Sequence, residues 1–464
     1  MNTYFFPFAP LDGRLDIFSW SDILFAPLYI YFIYKICLSI YNKKYKNTSL
    51  GSYFLNGVKI KIGVSVLYWA VNRFYYGGGD TYVYYWHILI IKQLLFTDPT
   101  LAYNILFDNT EFHTKLYIVQ YFLGNGSYIY TDNTFIVIFC GFFLSFLCMF
   151  SYLNISLIMS LFAFLGSWRL FKMFREMYPN LEREMAIATL YIPSVVYWGC
   201  GIMKDPLCMG FLGVLSFSTY ELIFKKKNKV LNLIYIILCT IGLVKVKVYI
   251  ILAYAPALVV WVFTRYRANI KSPIVRALVT PIFIVVAGAG GALMLTLMGS
   301  YTERYALDEM MRTAQDTQNW LVTSSKTNGG SFYTLGNIEY SMFGLIKIFP
   351  KAVNVAMFRP YIWEAKKIML IPAAIEGIFT MFLTVRLLFR TGFFRFLSMI
   401  AANPEVQFCL VFSIIFAFAV GFTSFNFGAL ARYKIPFMPF YYIALFILSD
   451  AHKKDEILVK KNKK

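Results

Sequence analysis

A single carboxylate, Asp80, closes a run of three glycines, Gly77 to Gly79, and is ringed by aromatics: Tyr75 and Tyr76 before it, Tyr82, Tyr84, Tyr85 and Trp86 after it. The run follows an apolar stretch long enough to end a membrane span. A carboxylate at such a place is costly to desolvate and calls for a partner, such as a metal, an arginine or a substrate hydroxyl. The glycines let the backbone turn sharply and admit a bulky ligand. Aromatics suit the headgroup layer and stack on sugar rings. Arg73, Tyr82 and His87 flank Asp80 as candidate ligand-binding groups, with Arg73 able to pair with Asp80 or grip a phosphate. The bland alternatives are an interfacial turn with an incidental acid and a hydrogen-bonded bystander histidine.

Three further constellations carry charge where a membrane protein normally avoids it. Lys204 and Asp205 follow Pro193-Ser194-Val195-Val196-Tyr197-Trp198-Gly199 and precede Pro206. Asp205 suits a helix cap, whereas Lys204 at an outer turn suits a phosphate. Arg359 and Glu364 lie in Phe358-Arg359-Pro360-Tyr361-Ile362-Trp363-Glu364, where they either pair with each other or present the arginine to phosphate. Arg432 and Lys434 lie in Arg432-Tyr433-Lys434-Ile435-Pro436-Phe437-Met438-Pro439, where they either snorkel or neutralise an anionic substrate. Glu376 is an acid inside an apolar run, with its partner to be found.

The elements that must position these residues are membrane helices. The chain has 464 residues, of which 59% are hydrophobic and 15% charged. Apolar runs near the length a span needs recur at about 20–41, 62–77, 154–172, 186–201, 206–224, 231–244, 249–264, 278–299, 366–389, 405–425 and 434–449. The expected fold is therefore all-α and polytopic, a single transmembrane domain over 1–464 with about eleven or twelve transmembrane helices. Residues 133–150 either lie in or re-enter from the outer leaflet, or form an extra span. Residues 1–16 hold Asp12, Arg14 and Asp16 and lack the basic start of a cleavable signal.

The net charge of +20 does not point to nucleic acid, because no groove-reading or RNA motif accompanies it. Of the 44 Lys and Arg, 26 fall in 43–61, 169–183, 225–229, 265–276, 386–395 and 453–464. These stretches share one side if the N-terminus is outside and the C-terminus inside, which is the positive-inside pattern. Lys245 and Lys247 interrupt an apolar run and either snorkel or face a polar cavity. Two outer segments remain, about 77–133 and 300–365. The first carries Asp98, Asp108, Glu111 and His113. The second carries Arg304, Asp308, Glu309, Arg312, Asp316 and Trp320, then a Gly/Ser/Asn/Thr-rich stretch at 323–337 that reads as a mobile loop or a solvated linker. The seven cysteines all sit in apolar segments and read as small buried hydrophobes. No Walker loop, GxSxG, HExxH or EF-hand occurs.

The Gly78-Gly79-Asp80-Thr81 run, the Pro193–Gly199 run with Lys204 and Asp205, the Phe358–Glu364 run and the Arg432–Pro439 run together resemble the GT-C class of polytopic glycosyltransferases, in particular those of bacterial cell-surface polysaccharide synthesis. The resemblance implies a polyprenyl-phosphate or pyrophosphate sugar donor and a glycan or lipid-linked acceptor. It places the protein in the cytoplasmic membrane of a bacterium with its active site facing the periplasm, in contact with membrane lipids. It implies Asp80 as catalytic base or as a ligand of Mg²⁺ or Mn²⁺, and Asp205 as a second catalytic acid. Arg73, Tyr82, His87, Lys204, Arg359, Glu364, Arg432 and Lys434 become substrate-binding candidates. The chain departs from the class in its lone Asp80, in a charge pattern that puts the N-terminus outside, and in lacking a large outer domain after the spans. Two rival readings draw on the same residues: a polymerase or ligase of the O-antigen type, relying on outer-loop arginines, and a transporter of lipid-linked oligosaccharide.

Overall fold

The computed structural model describes residues 20–107, 132–267, 331–336 and 342–462, with isolated positions at 270, 272, 315–316, 323 and 339. Among them the chain is helical apart from short connections and one antiparallel bridge joining Phe332 to Asn426. In chain order the helices are α1 (Trp20–Lys44), α2 (Leu50–Val71), α3 (Asp80–Thr97), α4 (Pro99–Phe107), α5 (Asp132–Leu147), α6 (Tyr152–Met177), α7 (Glu182–Leu190), α8 (Pro193–Trp198), α9 (Lys204–Tyr220), α10 (Lys229–Arg267), α11 (Met342–Phe358), α12 (Ile371–Thr391), α13 (Phe393–Ala402), α14 (Pro404–Thr423), α15 (Phe427–Tyr433) and α16 (Met438–Asn462). Seven are long and apolar enough to cross a membrane, and α15 with α16 form an eighth candidate bent by 65°. The protein is an all-α polytopic membrane protein. Only 11% of the apolar window of α1 is buried, so most of its side chains face lipid.

Several expected boundaries move. The run at 186–201 is not one span: it breaks at Tyr191 and Ile192 into α7 and α8. Pro193 is the cause, since it lacks an N–H and drives the residue before it out of the helical region. The span expected at 62–77 begins at Leu50 instead and ends in a π turn over Asn72–Tyr76. Lys59 and Lys61 therefore lie within a helix, not in a basic loop. Lys61 is buried and donates from Nζ to the Val196 carbonyl at 2.9 Å, which makes its place in the helix tolerable. The runs at 231–244 and 249–264 are helical as expected, and α10 departs from helical geometry at Lys247 (φ −152°, ψ 85°). The expected span at 278–299 lies outside the described residues.

The chain divides into two compact units, Met1–Phe174 with Val196–Val248, and Arg175–Val195 with Tyr249–Lys464. In the first, α6 and α9 cross where Gly166 meets Gly213: a Cβ on Gly213 would stand 2.0 Å from the Gly166 carbonyl oxygen. Small residues at such a crossing let two backbones touch, the usual solution where lipid supplies no hydrophobic drive. Nearby, Trp168 packs on Tyr45, Phe54 and Phe171 and donates from Nε1 to the Tyr45 hydroxyl at 3.1 Å. In the second unit Trp261 stacks on Phe408 with ring centroids 4.6 Å apart, and Phe412, Phe416, Phe437 and Phe440 extend that layer. Gly421 supplies the matching close crossing of α14 on α11, against the Ala352 carbonyl.

Candidate functional site

Asp80 opens α3. Gly77 (φ +62°) and Gly79 (φ +110°) sit in left-handed geometry just before it, and open space surrounds the place where a Cβ would be. The turn thus needs glycine for conformation. Asp80 is half-buried and stands at a helix N-terminus. Thr81, the next residue, is buried and makes two contacts. Its hydroxyl lies 2.7 Å from the Tyr152 hydroxyl and accepts the Ile202 backbone N–H at 3.2 Å. Ile202 precedes Lys204 by two residues, so one hydrogen bond ties the Asp80 turn to the Lys204 turn. Gly201 (φ +89°) makes this register possible, since a Cβ there would stand 2.4 Å from the Tyr68 ring.

Around that tie, Tyr82 and Tyr85 meet Tyr152 edge to face, and the Tyr85 hydroxyl donates to the Phe150 carbonyl at 2.6 Å. Tyr82 and His87 are buried in the packing of α3. His87 contacts the Val83 carbonyl through Nδ1 at 2.6 Å. Burial lowers the pKa of its imidazole below the ordinary value, and that hydrogen bond opposes the shift only in part. Arg73 is half-buried on the π turn. Lys204 is half-buried at the start of α9, whereas Asp205 is 1% exposed and accepts a 2.6 Å hydrogen bond from Lys247 Nζ. The two expectations for Lys245 and Lys247 are divided between them: Lys245 is exposed, and Lys247 turns inward to Asp205.

The second unit holds the other candidates. Arg359 and Glu364 pair side chain to side chain, with Nε 2.9 Å from Oε2 and a further contact through Nη2 to Oε1. The Tyr361 N–H also donates to Glu364 at 2.9 Å. Burial raises the Glu364 pKa, but the hydrogen bonds from Arg359 and Tyr361 and the Arg359 charge outweigh it and hold the carboxyl below its ordinary range. The Arg359 guanidinium lies 5.2 Å from the Phe427 ring centre and 5.8 Å from that of Tyr333. Within the stretch that reads as a mobile loop or a solvated linker, residues 331–336 pack down, with Ser331, Tyr333 and Leu335 buried. Tyr333 donates from its N–H to the Phe425 carbonyl and from its hydroxyl to the Gly421 carbonyl, and Ser331 accepts the Phe427 N–H. The aromatic side chain of Tyr333, set among polar linker residues, is what anchors it.

Arg432 is half-buried, with its guanidinium 4.9 Å from the Tyr433 ring centre. Lys434 is fully buried, 3.9 Å from Glu376. Glu376 accepts the Ser194 N–H at 2.9 Å and the Ser194 hydroxyl at 2.6 Å. Ser194 escaped the sequence reading. The available signal was Pro193: a helix beginning there leaves the N–H of Ser194 without an intrahelical acceptor. Asp98 caps α4 by accepting the Leu101 N–H at 3.0 Å, and Asp316 is exposed. Asp12, Arg14, Asp16, Asp108, Glu111, His113, Arg304, Asp308, Glu309, Arg312 and Trp320 lie outside the described residues. Among the described residues no three His, Cys, Asp or Glu side chains are placed to hold a metal ion.

No family model matches this sequence, and neither does any curated protein or solved structure.

Proposed function

We propose that the protein is a glycosyltransferase of the bacterial cytoplasmic membrane that takes a sugar from a polyprenyl-phosphate or pyrophosphate donor and transfers it, at the periplasmic face, to a surface-glycan or lipid-linked acceptor. The observation that carries this reading is the Ile202 N–H to Thr81 hydrogen bond, which fastens a half-buried carboxylate and a half-buried ammonium to one point of the first unit. The four-part resemblance to the GT-C class is its sequence half. Asp80 takes the proton of the acceptor hydroxyl as that oxygen attacks the anomeric carbon. The bond from carbon to phosphate oxygen breaks, its electron pair leaves with the phosphate, and Lys204 neutralises the charge that develops there. A single displacement inverts the anomeric centre. Asp205, sealed against Lys247, sets the start of α9 and hence Lys204, and does not touch substrate. In the second unit Glu364 engages Arg359 and Glu376 lies beside Lys434.

The test is transfer from a labelled polyprenyl-phosphate sugar by the purified chain in liposomes, with glycan analysis of a deletion strain to identify the product. Asp80→Asn should lower kcat on the order of 10²–10⁴-fold, and Lys204→Met should weaken both KM and kcat. Near-normal activity of Asp80→Asn together with loss in Arg432→Ala would sink the transferase reading in favour of the polymerase or ligase one.

A further inference from the structure

The second unit contains a cavity of about 390 Å³ at the basic ends of α12 and α16, and the proposed chemistry makes no use of it. Its volume lies within the range of small-ligand sites. Arg386 and Arg390 reach it from successive turns of α12, and His452 and Lys453 from α16. Glu184 of α7 and Glu456 of α16 line it as well. Leu387 and Phe446 give it an apolar wall.

Two observations narrow the ligand. First, His452 is 6% exposed and its Nδ1 has no hydrogen-bond partner, while Nε2 stands 3.2 Å from Glu456. With Nε2–H turned to the Glu456 carboxylate, Nδ1 presents a lone pair that is costly to leave unmet, and a ligand N–H donor such as an ammonium would satisfy it. Second, the charges are balanced. The two guanidinium forks and Lys453 suit one phosphate. Glu184 and Glu456 would repel a polyanion but suit an ammonium. The remaining acid of the lining, Asp450, is already engaged by Lys454 at 2.7 Å. Outside the cavity, the surface at the junction of α12 and α13 bares two rings: Phe389, the residue before Arg390, is 83% exposed, and Phe394, four residues after it, is 85% exposed. Such a surface fits acyl chains better than water.

We propose that this cavity binds the headgroup of a phosphoethanolamine phospholipid, with its phosphate on Arg386, Arg390 and Lys453 and its ammonium toward Glu184 and Glu456. The site is independent of the Asp80 reading and stands whether or not that chemistry is correct. The full chain would be purified in detergent and offered phosphatidylethanolamine, phosphatidylglycerol or soluble phosphoethanolamine, with bound molecules counted by native mass spectrometry. Phosphatidylethanolamine should be retained about tenfold better than phosphatidylglycerol, a margin of one charged hydrogen bond. Arg386→Ala with Arg390→Ala should abolish that retention. Glu184→Gln should erase the preference while leaving phospholipid bound, and this single surface change keeps the test open if the double variant does not fold. Equal retention of the two lipids, or unchanged retention in a folded double variant, overturns the proposal. Binding of soluble phosphoethanolamine without lipid overturns the lipid source.

Discussion

Each unit buries one lysine against one carboxylate inside the apolar interior, and the two pairs are built differently. In the first, Lys247 donates directly to Asp205 at 2.6 Å, and both side chains are almost fully buried. In the second, Lys434 stops 3.9 Å from Glu376, whose oxygens instead take the hydroxyl and N–H of Ser194. The first carboxylate depends on a charge, whereas the second rests on neutral donors and feels its lysine across a gap. Burial of an ion pair alone therefore says little about how much the pair contributes. What decides is which partner fills the hydrogen-bonding positions of the acid.

The largest effect should come from Lys247→Met, which removes the ammonium that donates to Asp205 and should cost about 3–5 kcal/mol in unfolding of the full chain in detergent. Adding Asp205→Asn should recover most of that loss, and failure of the double variant to recover would refute the direct-bond account. Lys434→Met should cost less than half as much, about 1–2 kcal/mol, since Glu376 keeps both Ser194 donors. Equal costs for the two lysines would erase the contrast. Thr81→Val compares a neutral tie with the charged ones. It removes the hydroxyl that meets Tyr152 and Ile202 and should cost about 1 kcal/mol per lost bond, with a drop in the proposed transfer activity as the Asp80 turn loosens.

The smallest effect should come from the rim pair of Arg359 and Glu364, whose side chains are 20% and 18% exposed. The Glu364 pKa is depressed from its ordinary 4.5, so folding gains from its charged form above that value and loses the gain as pH falls through the lower folded pKa. A melting-temperature profile of wild type against Glu364→Gln should converge at acid pH and separate toward neutral. Profiles that stay parallel would show that the pair adds nothing in water.

Much of the scaffold could be read from the residues. Long apolar runs located α1, α6, α9, α12 and α14 to within a few positions, because lipid forces every backbone group into helix and the side chains must match. The same logic misread 186–201, where Pro193 outweighs hydropathy, and the start of α2, where Lys61 is carried inside by a carbonyl more than 130 residues away. Asp80, Lys204, Asp205 and Glu376 stood out as charges in unlikely places. Their partners did not. Lys247 for Asp205, Ser194 for Glu376 and Ile202 for Thr81 are all long-range choices, made by helix packing that no local pattern encodes. The Arg359–Glu364 pair was open to inference because only five residues separate the two ends.

The helix that leads to Asp80 runs from Leu50 to Tyr76, 27 residues including its π turn. At about 1.5 Å per residue it spans about 40 Å, against a hydrocarbon core of about 30 Å. It must lean, or push its tip beyond the acyl chains, and Phe74, Tyr75 and Tyr76 are exposed at that tip to hold it among the headgroups. The depth of the glycine turn is therefore coupled to the thickness of the host membrane, and a thinner or thicker bilayer would raise or lower Asp80 relative to any lipid-borne substrate.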